Sequence, residues 1–86
     1  MAEYRVVLAR SAERDLLSLP RSAEARAEAA IDSLAQEPRP SGVKKLKGNT
    51  NLWRIWVGDY RIVYRIDDRQ RLIDISHIRH RKDVYK

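Results

Sequence analysis

"VGDYRIVYRIDD", residues 57–68, is the stretch that decides the fold. Gly58-Asp59 stands between two apolar runs, which is the signature of a tight β-hairpin turn. The side-chain period is two on both sides of it. Before the turn, residues 52–57 (LWRIWV) put Trp53, Ile55 and Val57 on one face and Arg54 and Trp56 on the other. After it, residues 60–66 put Ile62, Tyr64 and Ile66 on one face and Arg61, Val63 and Arg65 on the other. The apolar face needs a covering layer. The opposite face raises a question, because its arginines recur where a sheet is ordinarily buried or mixed.

The chain on either side supplies the cover. Residues 67–71 (DDRQR) read as a polar turn and residues 72–78 as a last strand. Simple alternation there sets Ile73, Ile75 and His77 against Leu72, Asp74, Ser76 and Ile78, so His77 is expected on the apolar side, partly buried. Upstream, residues 3–9 (EYRVVLA) form a short β-branched strand. Ser11 then reads as a helix N-cap, with Glu13 in the first turn and an apolar stripe of Ala12, Leu16, Leu17 and Leu19. Pro20 separates this helix from a second one capped by Ser22, in which Ala23, Ala27, Ala30, Ile31 and Leu34 keep helical spacing. Pro38 and Pro40 stop it, residues 37–43 are a linker, and residues 44–51 (KKLKGNTN) read as a basic loop. The expected order is βααβββ. This is an α+β fold, a mainly antiparallel sheet with a helical pair on one face, in a single domain over residues 1–86.

Composition narrows the function. The 86 residues are 43% hydrophobic and 35% charged, a globular balance. With no cysteine there is no disulfide and no thiolate chemistry. No apolar run approaches the roughly 18 residues of a membrane span, so no membrane partner is expected and the cytoplasm is the simplest address. The net charge is 18 − 12 = +6. Residues 1–40 hold six Lys/Arg and seven Asp/Glu, whereas residues 41–86 hold twelve and five. All the excess positive charge lies in the second half, which points to a polyanion such as nucleic acid.

The candidate site is the second sheet face together with the basic segments beside it. Arg54, Trp56 and Arg61 combine guanidinium groups with an aromatic, which suits a phosphate backbone and a stacked base. Arg65 has Asp67, Asp68 and Asp74 at hand as partners and reads as a solvated pair. Lys44, Lys45 and Lys47 lead into the Arg54 strand as phosphate contacts. The tail carries Arg79, His80, Arg81, Lys82 and Tyr85. His80, lying past the last strand among cations, reads as a neutral imidazole able to accept a proton. No metal-ligand spacing, Gly-rich phosphate loop or Ser-centred elbow is present, so no metal and no cofactor are expected. On RNA such a protein would use the substrate's own 2′-OH. It must orient that group, take its proton and stabilise the phosphorane. Arginines serve the last task well and the second poorly, since their pKa stays above about 12.

These residues resemble a known family. "LKG" at 46–48, "WRIWVGDYRIVYRI" at 53–66 and "HRKDVY" at 80–85, in the order βααβββ, are similar to the RelE-type toxins of the RelE/ParE superfamily from type II toxin–antitoxin modules. The resemblance spans nearly the whole chain. It implies an mRNA endonuclease that cuts in the ribosomal A site and is neutralised by a cognate antitoxin, in a complex such as a heterotetramer. It also implies site roles. The family's hairpin arginine falls on Arg61, its C-terminal arginine on Arg79 or Arg81, its base-stacking tyrosine on Tyr85 and its second-strand basic residue on Arg54. One departure stands out: Arg54 and Trp56 occupy the alternate positions where the best-known pattern has lysines, one of them the general base. The base is then open between His80 and a lysine of the 44–47 loop. Two other readings share the fold, a ParE-like inhibitor of DNA gyrase and a catalytically degenerate module that only binds an antitoxin.

Overall fold

The computed structural model describes residues 3–48 and 51–84. Five strands, β1 (Arg5–Leu8), β2 (Lys44–Lys45), β3 (Leu52–Val57), β4 (Tyr60–Asp67) and β5 (Leu72–His80), form one mixed sheet in the order β1-β5-β4-β3-β2. Helices α1 (Arg10–Leu17) and α2 (Arg21–Ser33) lie between β1 and β2 in the chain, and a one-turn helix α3 (Arg81–Val84) follows β5. β1 runs parallel to β5 and the other pairings are antiparallel. The α+β, mainly antiparallel architecture is the one the sequence predicts. Two elements differ. Lys44–Lys45 pair with Trp53–Arg54 as an edge strand where a loop is expected, and α3 has no counterpart in the sequence reading.

The hairpin positions everything else. Only the first turn residue, Gly58, has a positive φ, 60°, as a type II′ turn requires. A Cβ on Gly58 would stand 2.8 Å from Arg26 Nη2 of α2, which lies over the turn. Gly58→Ala should therefore cost about 1–2 kcal/mol, the penalty of a left-handed conformation for a residue with a Cβ. Urea unfolding checks it, and an unchanged midpoint would contradict the turn assignment.

The helical pair covers the apolar face. Ala12, Ala27, Ile31 and Leu34 pack on Ile55, Ile62, Tyr64, Ile66, Ile73, Ile75 and Ile78, all buried. Alanine at the helix contacts lets the backbones lie close to a sheet of large side chains. The Tyr64 hydroxyl donates to the Pro38 carbonyl at 2.7 Å, pinning the linker, and burial pushes its phenol up to about 12. The linker is tied a second time at the β4–β5 turn. Arg39 pairs with Asp68 at 2.9 Å, and the Tyr4 hydroxyl donates to the same carboxylate at 2.5 Å. Hydrogen bonds from Arg39 and then Tyr4 hold the Asp68 carboxyl down at about 2.

The edge of β5 carries the feature that matters most for the site. β1 pairs with it only as far as Leu8↔Ile75. Beyond that point α1 takes over. The Ser11 hydroxyl donates to the Ser76 carbonyl at 2.8 Å, and Asp15 Oδ2 accepts from the Ile78 N–H at 2.9 Å. Ser11 is thus not the expected N-cap. Ala9 holds that position in α1, and Pro20 rather than Ser22 holds it in α2, both without a side-chain cap bond. Across the ladder Tyr64 faces Ile75 while Val63 faces His77, so Ser76 is an extra residue in a β-bulge. The extra residue inverts the alternation beyond it. His77 leaves the apolar side, where the sequence pattern places it, and joins the arginine face. Ile78 turns into the core instead and is only 4% exposed.

Candidate nucleic-acid interface

Side chains directly opposite in the ladder share a face, so the register gives the layout of the uncovered side. One row runs Trp56, Arg61, Arg79. The next runs Lys44, Arg54, Val63, His77. The third runs Leu52, Arg65, Asp74, Val7. In that third row Arg65 pairs with Asp74 at 3.5 Å, the solvated pair expected of it. Asp68, offered as another partner for Arg65, is held by Arg39 instead.

The first row is the centre of the site. Arg61 and Arg79 are directly opposed, and among the described residues no carboxylate pairs with either. Like charges facing each other across two strands destabilise a sheet. Two opposed guanidinium groups, neither paired with a carboxylate among the described residues, are also a ready clamp for one anion. Arg61 Nε is buried and has no hydrogen-bond partner, a donor left for an incoming acceptor. Val63 beside it is only 1% exposed although it lies on the face away from the helices. Trp56, half-buried and cross-strand from Arg61, puts an aromatic surface next to the clamp.

The remaining expected residues divide. Lys44 sits on this face beside Arg54, whose Nη1 donates to the Gly42 carbonyl at 3.1 Å and anchors the linker. Lys45 lies on the opposite face, its Nζ 5.8 Å from the Trp53 ring centroid, and so separates from Lys44. Edge pairing of Lys44–Lys45 causes that split, since neighbours in a strand point to opposite faces. Lys47 is exposed beyond β2. Of the two tail arginines, Arg79 faces Arg61, whereas Arg81 Nε lies 3.6 Å from Asp59 Oδ1 and its N–H donates to the Asp59 carbonyl at 2.8 Å. Arg81 thereby fastens α3 to the hairpin turn. Lys82 is exposed on α3. Tyr85 lies outside the described residues.

His80 is not past the strand. It ends β5, opposite Tyr60, on the helix side of the sheet and away from the arginine row. Its ring meets Tyr60 edge-on, with centroids 5.1 Å apart. The Lys82 N–H donates to His80 Nδ1 at 3.1 Å. A nitrogen that accepts carries no hydrogen, so the neutral ring has its hydrogen on Nε2 and offers a donor there.

His77 is the residue that sequence reasoning left out of the site, because no local signal announces the bulge. Burial first, then Arg79 and Arg61, push its imidazole pKa below the ordinary value, while Asp15 pulls it up. The folded protein therefore holds fewer protons than the unfolded chain near the ordinary histidine value of about 6.5, and stability must fall as pH drops through that region. Between about pH 7 and pH 5 the urea midpoint of the wild-type should decline more than that of His77→Gln. Parallel declines would contradict a half-buried, arginine-flanked ring.

Among the described residues no group of three or more His, Cys, Asp or Glu could hold a metal ion, and no helix is long and apolar enough to cross a membrane. Residues 6–85 match the family model described as the ParE toxin of the type II toxin–antitoxin system parDE. Toxin RelG of Mycobacterium tuberculosis is 37% identical over 87 residues, covering 96% of this chain and 97% of the relative. Among solved structures, the archaeal RelE–RelB complex from Pyrococcus horikoshii superposes with a TM-score of 0.82 at 32% identity, covering 94% of this chain and 97% of that one. The toxin–antitoxin complex RelBE2 from Mycobacterium tuberculosis gives 0.80 at 30% identity, over 91% and 98%. The chain belongs to the ParE-toxin family, within the RelE/ParE superfamily of type II toxin–antitoxin toxins.

Proposed function

We propose that this toxin is a ribosome-dependent mRNA endonuclease that cuts the message in the A site by attack of the RNA's own 2′-OH. One observation carries the reading: Arg61 and Arg79 are directly opposed on the sheet face away from the helices, with Trp56 alongside and, among the described residues, no carboxylate paired with either. Two forked guanidinium groups match the oxygens of a single phosphodiester, and the negative charge on those oxygens grows as the 2′-oxygen adds to phosphorus. Donors aimed at growing charge lower the barrier, each by about 10²–10³ in rate. The 2′-O–H bond breaks, the O2′–P bond forms, and the P–O5′ bond breaks. The products are a 2′,3′-cyclic phosphate and a free 5′-hydroxyl. Arg54, Lys44 and Lys47 extend the positive surface along the backbone, Trp56 and Tyr85 offer stacking surfaces, and Lys45, Arg81 and Lys82 add charge at the margins. The ribosome supplies alignment, which a shallow sheet face alone provides poorly.

A cognate antitoxin is the second expected partner. The similar structures from Pyrococcus horikoshii and Mycobacterium tuberculosis are toxin–antitoxin complexes. An acidic or amphipathic segment would complement the basic face and silence it.

The end chemistry of the fragments tests this reading. Downstream fragments should accept phosphate from polynucleotide kinase without prior phosphatase treatment, as a free 5′-hydroxyl does. Fragments that need the phosphatase first would exclude the 2′-OH route. The description of the matching family as a ParE toxin keeps a gyrase inhibitor as the second reading. Growth arrest with intact message and gyrase-dependent DNA breaks would favour it.

A further inference from the structure

Among the described residues the row of Trp56, Arg61 and Arg79 holds no proton acceptor. Arg61 and Arg79 cannot serve as one, and His80 is turned to the other face with its Nδ1 already accepting from the Lys82 N–H. The bulge at Ser76 delivers a different histidine to the right place. Without the extra residue, position 77 would point into the core. With it, His77 stands on the uncovered face, cross-strand from Val63 and two residues along β5 from Arg79. Arg61 and Arg79 are therefore about 5 Å apart at the backbone, and His77 is about 7 Å from each. A phosphodiester clamped by both guanidinium groups puts its 2′-oxygen within the span of that triangle.

We propose that His77 accepts the 2′-OH proton, in the role the lysine positions of β3 cannot fill with Arg54 and Trp56 in place. The inference rests on the endonuclease reading. The proton passes from O2′ to His77 Nε2 as the O2′–P bond forms, and O5′ takes its proton from water as the P–O5′ bond breaks. The tautomer fits: with the Nδ1 hydrogen directed at Ser76 Oγ, a long contact of 3.4 Å, the free lone pair lies on Nε2. This is the reverse of His80. The charged groups facing the ring are Arg79 on its own strand, Arg61 on β4 and Asp15 on α1. Arg54 and Lys44 complete its row. The two arginines favour the neutral ring, which is the form that can accept.

Single-turnover cleavage of A-site message on programmed ribosomes, followed from about pH 5 to pH 9, is the test. His77→Gln should cut about 10²–10⁴-fold more slowly and lose the fall in rate on the acid side that the wild-type shows. His80→Gln should keep both rate and profile. Free imidazole should restore part of the activity of His77→Ala, which guards against a variant that is merely misfolded. A wild-type protein that leaves the message intact overturns the endonuclease reading and this inference together. A cutting wild-type matched by His77→Gln in rate and pH profile overturns His77 alone.

Discussion

Arg61→Ala is expected to reduce cleavage by about 10²–10³-fold and leave the fold intact. The two halves of that expectation have one origin. Arg61 opposes Arg79 across β4 and β5, and among the described residues neither has an acidic partner. The pair therefore costs the sheet a little through repulsion and contributes nothing by ion pairing. Removing either charge should leave the melting temperature unchanged or slightly higher at low salt, where repulsion is least screened. Arg79→Ala should behave the same way. Arg81→Ala should differ, because its guanidinium reaches Asp59 at the turn; its loss should loosen α3 with a smaller effect on cleavage. Full toxicity in Arg61→Ala, or a collapse of stability, would show that the clamp is not the anion site.

Ile78→Ala carries the largest expected effect on stability, about 2–5 kcal/mol. Ile78 is 4% exposed and sits in the core cluster with Ile62 opposite it. At about 4–8 °C per kcal/mol for a chain of this size, the melting temperature should drop by about 8 °C or more. The companion variant His77→Ala should cost much less, since its ring lies on the uncovered side. A straight alternation from Ile73 predicts the opposite ranking, with position 77 in the core and Ile78 outside. The comparison of the two variants is thus a direct test of the bulge.

The same position shows where sequence reasoning reached its limit. The hairpin around Gly58-Asp59, the strand over 52–57 and the second helix were legible because each rests on local terms, namely turn conformation and side-chain period. The bulge is not local. It is stabilised by Ser11 and Asp15, more than 60 residues away in sequence, which satisfy the Ser76 carbonyl and the Ile78 N–H. Ser11 reads naturally as a helix cap, and no local pattern marks Asp15 for this contact. The Lys44–Lys45 strand was equally hidden, for two lysines have little β-propensity and pair only because β3 offers an edge. The choice between Arg79 and Arg81 likewise needed the register, because spacing in a tail does not say which side chain crosses to Arg61. Composition had already assigned the excess charge to the second half of the chain. What it lacked was the face: Lys45 and His80 lie on one side of the sheet, and Lys44, His77 and Arg79 on the other.

Cutting of message on the ribosome by the arginine face can be read out at nucleotide resolution. Primer extension on one mRNA, incubated with the purified toxin with and without programmed ribosomes, tests it most directly. A new stop within the A-site codon is expected only in the tube that holds ribosomes, and not with Arg61→Ala. An uncut message in both tubes, from a protein that still arrests growth, would contradict it.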